Sequence, residues 1–159
     1  MITIERLREL FFYDPETGIF IRIKTVNARG MKGRAVGNLV DGYLRVNIDG
    51  RQYLLHRLAW FWTYGNWPIE QLDHINRFRT DNRISNLREC NNGQNAGNTG
   101  ASKRNKLGVR GVHKYGNRFY AQIGSGEKRR NLGSFLTLDE AAQAYNQAAL
   151  EYFGEFYAG

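Results

Sequence analysis

The chain has 159 residues, enough for one ordinary domain or a few small modules, and its 23 Lys and Arg against 15 Asp and Glu leave a net charge of +8. An aromatic content of 13% excludes general disorder, the lone Cys90 excludes an internal disulfide, and no apolar run reaches the roughly 18 residues of a membrane-spanning helix. A basic folded chain of this kind most often meets a polyanion, nucleic acid first and an anionic membrane surface second.

The opening MITIERLREL carries acids and lacks an apolar signal core, so a cytoplasmic protein is expected. A short amphipathic helix is expected over about Ile2 to Phe11, after which DPETG reads as a turn feeding the alternating strand IFIRIK. In GYLRVNIDGRQYLLHRL, Asp49-Gly50 separates two alternating runs and predicts a hairpin. Its second strand passes into HRLAWFWTYG, a short apolar helix ending at Gly65. Arg22, Lys24, Arg29, Lys32 and Arg34 read either as a surface for a nucleic-acid backbone or as solvated strand residues. His56, at the strand-to-helix junction among apolar residues, reads as a packed, hydrogen-bonded histidine, with a catalytic part the less favoured reading.

The stretch LDHINRFRTDNRISNLREC, from Leu72 to Cys90, gathers an acid, an imidazole and several Asn side chains. Cutting a phosphodiester needs a nucleophilic water, a base for its proton, and positive charge near the scissile phosphate. His74 suits the base, because an imidazole is largely neutral at cellular pH and an Asn or backbone carbonyl can fix its tautomer. Asp73 and a further Asn can offer oxygen ligands to a metal. With one Cys and three His in the chain, that metal would be a hard ion, Mg²⁺ or Mn²⁺, rather than zinc. Arg77, Arg79 and Arg83 flank the segment and can hold phosphates or stand in solvent. Neighbours on a regular strand face opposite sides, so Asp73 and His74 can serve one site only where the strand ends or bulges.

The run LDHIN…DNRISNLREC…QN resembles the HNH endonucleases, in particular the phage and intron-encoded homing group, over roughly Tyr53 to Asn95. The resemblance implies a ββα-metal fold around one divalent ion, with His74 as general base, Asp73 and Asn95 as metal ligands, and Asn86 as the central Asn that orients the histidine. Asn82 competes with Asn86 for that role, and Asn91, Asn92 and Asn98 stand close to Asn95. Asn86 is preferred because Leu87 can seat the following strand in the core, whereas Asn82 lies in the polar turn TDNR. A bacterial or phage-infected host cell is the implied setting.

From Asn91 to Lys106 the composition turns to Asn, Gly, Ser and Lys, which reads as a linker. Three strands follow, GVRGVHKY, RFYAQIG and RRNLGSF, and then a helix over about Leu138 to Phe153, where Thr137 and Glu140 have capping-box spacing. Nine Lys or Arg lie between Lys103 and Arg130 against one acid, Glu127, so the positive face belongs to the sheet. In RFYAQI the period of two sets Phe119, Ala121 and Ile123 toward the helix and Arg118, Tyr120 and Gln122 outward. VRGVHKYGNRFYAQI, LGSF and EAAQAYNQAALEYFG together resemble the Apetala-two, or ethylene-response-factor, DNA-binding domain. That resemblance implies that Arg110, His113, Tyr115, Gln122, Arg129 and Asn131 contact duplex DNA.

The expected architecture is α+β: an N-terminal β-hairpin region over residues 1–52, a ββα-metal nuclease core over 53–98, a linker over 99–108, and a three-stranded antiparallel sheet packed on one helix over 109–159. The expected function is a site-specific, metal-dependent DNA endonuclease of homing type, monomeric or dimeric, with no membrane partner. The alternative is a non-catalytic DNA-binding regulator on the same scaffold.

Overall fold

In the computed structural model the described residues are 1–25, 31–102, 104–124 and 126–157; Arg29 and Lys103 lie outside them. Small antiparallel sheets and four α-helices make up two compact units, residues 1–91 and 92–159. Among the described residues no helix is long and apolar enough to cross a membrane.

The first unit begins with helix α1 (Ile4–Leu10), whose N-cap Thr3 accepts a bond from the Arg6 amide at 3.2 Å. Strands β1 (Phe11–Asp14) and β2 (Ile19–Arg22) form the first hairpin, closed by the Gly18 amide donating to the Asp14 carbonyl at 2.8 Å. Next come β3 (Asn38–Val40), β4 (Tyr43–Ile48) and β5 (Arg51–Leu54) in that spatial order. The β4–β5 turn is Asp49-Gly50, with positive φ at both residues (49° and 79°), as a two-residue hairpin loop of this hand requires. Helix α2 (Leu55–Tyr64) follows β5 without a break and stops at the left-handed Gly65. Strands β6 (Gln71–His74) and β7 (Leu87–Cys90) pair antiparallel, Asp73 opposite Arg88 and His74 opposite Leu87.

One core joins all of this. Leu7, Leu10, Phe11, Tyr13 and Phe20 of the N-terminal elements pack with Leu55, Leu58, Ala59 and Phe61 of α2 and with Leu87 of β7. The boundary expected at residue 52 is therefore not a boundary of packing, because β5 runs directly into α2 and both sides of that junction fill the same interior. The register of β1 with β2 sets Phe11 against Arg22 and Tyr13 against Phe20, all four on the core side. Ile19 and Ile23 face outward, at 44% and 41% exposure.

The second unit holds α3 (Asn92–Gly97), β8 (Val112–Tyr115), β9 (Arg118–Ile123) and β10 (Arg130–Phe135), with β9 central, and α4 (Leu138–Phe153). The capping box at Thr137 and Glu140 is formed, with both reciprocal bonds present. Val112, Ala121 and Ile123 pack on Ala141, Tyr145, Ala148 and Ala149, and the three alanines let the helix lie close to the sheet. At Gly111 the approach is tightest: a β-carbon there would stand 2.2 Å from the Tyr145 ring.

The stretch expected as a bare linker is built into this unit. Gly97 lies against Phe153, at 2.9 Å for an added β-carbon, and Arg110 donates from Nη1 to the Gly97 and Thr99 carbonyls at 3.2 and 2.9 Å. Asn105 caps its own loop by donating to the Val109 carbonyl, and Leu107 packs on the core. Composition misled here because Asn and Gly serve turn and contact geometry rather than flexibility.

Two stability outcomes follow. Gly18 and Gly50 both have φ near +75°, so alanine costs each about 1–2 kcal/mol in backbone strain, but an added β-carbon at Gly18 also meets the Arg83 nitrogen at 2.4 Å while Gly50 has open space. Urea denaturation should find Gly18→Ala clearly less stable than Gly50→Ala. A fragment beginning at Asn92 should unfold cooperatively with a higher midpoint than one beginning at Arg104, which lacks the two carbonyls held by Arg110, a loss on the order of 1.5–3 kcal/mol. Equal midpoints would show that residues 92–99 add nothing to the fold.

Candidate active site and nucleic-acid interface

Strand β6 ends at His74, where the Arg77 amide turns back to the His74 carbonyl at 2.8 Å with Arg77 at φ 64°. Asp73 and His74 are both buried. Asp73 Oδ2 accepts two bonds from its cross-strand neighbour Arg88, from Nε at 3.0 Å and Nη2 at 2.9 Å. His74 Nε2 lies 3.3 Å from Asn82 Oδ1. With that oxygen as acceptor, Nε2 carries the proton and Nδ1 is the basic nitrogen. Burial pushes the His74 pKa below the ordinary imidazole value, against the opposing pull of the Asn82 bond and of Asp73.

The asparagine at the ring is thus Asn82, whereas the sequence favoured Asn86. Asn86 instead closes the base of the loop between β6 and β7. Its Oδ1 accepts from the Asn76 amide at 3.0 Å, and its Nδ2 donates to Asn76 Oδ1 and to the Asp81 carbonyl at 3.0 and 2.9 Å. This engages both ends of its amide. Asn82 reaches the ring because its own carbonyl is held from below by the Tyr13 hydroxyl at 2.7 Å, and because the Gly18 turn presses on the backbone of Asn82 and Arg83. Both contacts come from an element some seventy residues away in sequence, which no local pattern reveals.

Two further side chains share the site. His56, in the first turn of α2, stands edge-on to His74 with ring centroids 5.1 Å apart, and Tyr43 of β4 lies 5.3 Å from His56 and 6.2 Å from His74. His56 is packed as expected, but its buried Nδ1 has no hydrogen-bond partner. Desolvation, reinforced by His74 and Arg57, lowers its pKa to about 3, so it is neutral at any working pH. Arg79 covers the outer face of Tyr43 at 4.8 Å. Arg83 is paired with Asp81 at 2.6 Å, which cancels its charge and holds Asp81 down to about 2, while Arg77 is exposed at the turn. Of the three flanking arginines, Arg79 is therefore the one stacked on the histidine cluster.

Among the described residues no three or more His, Cys, Asp or Glu side chains converge as a metal site. Asp73, one residue before His74 in the chain, carries a carboxylate, a class of oxygen donor. Asn95, the other expected ligand, stands half-buried on α3 in the second unit. A carboxylate oxygen suits a hard ion that keeps several of its own waters, as Mg²⁺ does.

On the second unit, the sheet presents one polar face. The β8–β9–β10 register brings His113, Tyr115, Gln122 and Asn131 to it, together with Arg118 and Tyr120. Gln122 Nε2 donates to His113 Nε2 at 2.6 Å, Tyr115 is 81% exposed, and Asn131 Oδ1 accepts from the Gly133 amide at a bulge in β10. Arg129 is exposed just before β10. Arg110 departs from the expectation: its guanidinium is turned to the Gly97 and Thr99 carbonyls and the Phe153 ring, 5.1 Å away, and acts as a structural clamp. Arg118, which the family resemblance did not pick out, is on the face and is steadied by Ser134.

Comparison with known proteins agrees with the histidine-bearing segment. Residues 53–96 match the family model described as HNH endonuclease. A protein of Acanthamoeba polyphaga mimivirus, named as an uncharacterized HNH endonuclease, is 37% identical over 115 residues, which is 71% of this chain and 60% of the relative, so the match spans less than two thirds of that protein. No solved structure matches. Residues 53–96, which hold the buried His56 and His74, are therefore similar to the HNH endonuclease family.

Proposed function

We propose that the chain is a metal-dependent DNA endonuclease that nicks or cuts duplex DNA at a specific site, with His74 as general base. The observation that carries this reading is the buried, proton-poor His74, with Nε2 against Asn82 and Asp73 adjacent in the chain. Asn82 holds the tautomer in which Nδ1 can take the proton of an attacking water, and burial keeps the ring neutral and ready for it. Mg²⁺ or Mn²⁺, when bound, supplies positive charge at the scissile phosphate. Asp73 would hold the ion, with Asn95 as the amide ligand that the sequence offers. Arg79, stacked on Tyr43, is placed to meet a backbone phosphate. The polar face of the second unit binds duplex DNA through Gln122, His113, Tyr115, Asn131, Arg118 and Arg129. Homing, as a phage or mobile-element enzyme, is the biological setting that this combination of cutting and reading fits.

A second reading has one observation in its favour. Arg88 already neutralises Asp73, which suits a scaffold that binds DNA without cutting it. Plasmid nicking with Mg²⁺, and its loss in EDTA, separates the two.

His74→Ala should lower nicking by about 10²- to 10⁴-fold while leaving DNA affinity in place. Asn82→Ala should lower the rate with a small change in stability, because it removes one long bond, whereas Asn86→Ala should cost about 1–3 kcal/mol by unpairing the Asn76 amide. The reverse pattern would return the orienting role to Asn86. Because burial disfavours the imidazolium, the basic form persists to lower pH, and the acid limb of the nicking rate should lie below the ordinary imidazole value of about 6.5.

For the second unit, Gln122→Ala should relax sequence preference at particular base pairs by roughly 1–3 kcal/mol, while Arg110→Ala should lower the stability of this unit and leave sequence preference unchanged. Selection of binding sites from a randomised duplex pool, run beside thermal melts of both variants, checks this contrast.

A further inference from the structure

Strand β2 turns an arginine inward. Its alternation would allow Ile19, Ile21 and Ile23 to fill the interior, yet the hairpin register buries Phe20 and Arg22 and leaves Ile19 and Ile23 outside. Arg22 is 8% exposed. Its guanidinium lies over the Phe11 ring at 4.6 Å, and no hydrogen bond or ion pair from the described residues reaches it. A buried charge without a counter-ion is strongly disfavoured, and an internal conflict of this kind is most often found at functional sites.

Two further features belong to the same place. The Arg22 amide donates to the Arg34 carbonyl at 2.9 Å, within the pairing that also joins Ile21 to Ala35, so the two arginines stand opposite one another on adjacent strands. Like charges in that arrangement repel unless an anion sits between them. Both arginines line a groove of about 650 Å³ whose wall also carries Asn38 and Asn47. The acid on that wall, Asp49, is already paired with Arg6 at 2.9 Å. The groove shares no residue with the His56–His74 cluster.

We propose that this groove is a phosphate-binding site that takes a backbone phosphate of duplex DNA, away from the reacting phosphate. A guanidinium carried over an aromatic ring keeps its N–H groups for a forked contact to phosphate oxygens, and Arg34 supplies a second charge. Asn38 and Asn47 add amide donors. The choice of DNA as the source of the phosphate rests on the reading of the chain as a DNA endonuclease; the anion chemistry of the groove does not.

The test uses the full chain and two variants, Arg22→Gln and Arg34→Gln, the second at an exposed position where folding is not at stake. Inorganic phosphate should raise the thermal midpoint of the wild-type protein, and Arg22→Gln should lose that rise. With a short duplex, each variant should flatten the dependence of log affinity on log salt by about one unit. A wild-type midpoint insensitive to phosphate, or raised equally in Arg22→Gln, overturns the site. A phosphate response with unchanged salt slopes in both variants overturns DNA as the occupant and leaves a free anion. If the wild-type protein binds DNA with the expected slopes and fails to nick, the groove stands and the endonuclease reading falls.

Discussion

The buried hydrogen bond from the Tyr13 hydroxyl to the Asn82 carbonyl is the contact on which the candidate site depends. Tyr13 belongs to the first hairpin and is packed on Phe20, so the position of Asn82 is set by the deepest part of the core. Asn82 Oδ1 in turn lies 3.3 Å from His74 Nε2. The chain of contact runs from hydrophobic packing to a backbone carbonyl to one ring nitrogen. Burial of the tyrosine raises its own pKa, so the hydroxyl remains a donor at any working pH. The segment that carries the family match thus takes its geometry from residues that precede it.

The same arrangement explains why the histidine cluster is buried and its imidazolium forms are disfavoured. His56 is held by the start of α2, Tyr43 by β4, and His74 by the end of β6, three elements that meet because the common core draws them together. Rings rather than charges fill the space around His74, which favours the uncharged imidazole. The nearby charges are largely settled in pairs, Arg88 with Asp73 and Arg83 with Asp81.

Features governed by neighbours in sequence were legible in the chain itself. The Asp49-Gly50 turn, the capping box at Thr137 and Glu140, the stop at Gly65 and the alternation in RFYAQI each follow from local backbone chemistry, and each is present. The Asp73–His74 pair was legible for a similar reason, since its spacing to the following asparagines is short. What could not be read depends on contacts distant in sequence. The facing of IFIRIK has two apolar parities, and only pairing with FFYD selects the one that buries Arg22. The choice between Asn82 and Asn86 turns on Tyr13 and Gly18, and the role of Arg110 turns on carbonyls in a stretch whose composition suggests a tether.

That stretch bears on how such a chain can change its partners over evolutionary time. The family match runs to residue 96, but the residues from Asn92 to Gly97 are folded into the second unit, clasped by Arg110 and pressed on Phe153. A recombination that exchanged the C-terminal unit at its packing boundary would carry off the last residues of the nuclease segment with it. One that cut after residue 96 would instead sever α3 just before Gly97, whose carbonyl Arg110 holds. Exchange of C-terminal units is therefore easiest between chains that keep the asparagine-rich helix and the arginine together, and those two features should be inherited as one block.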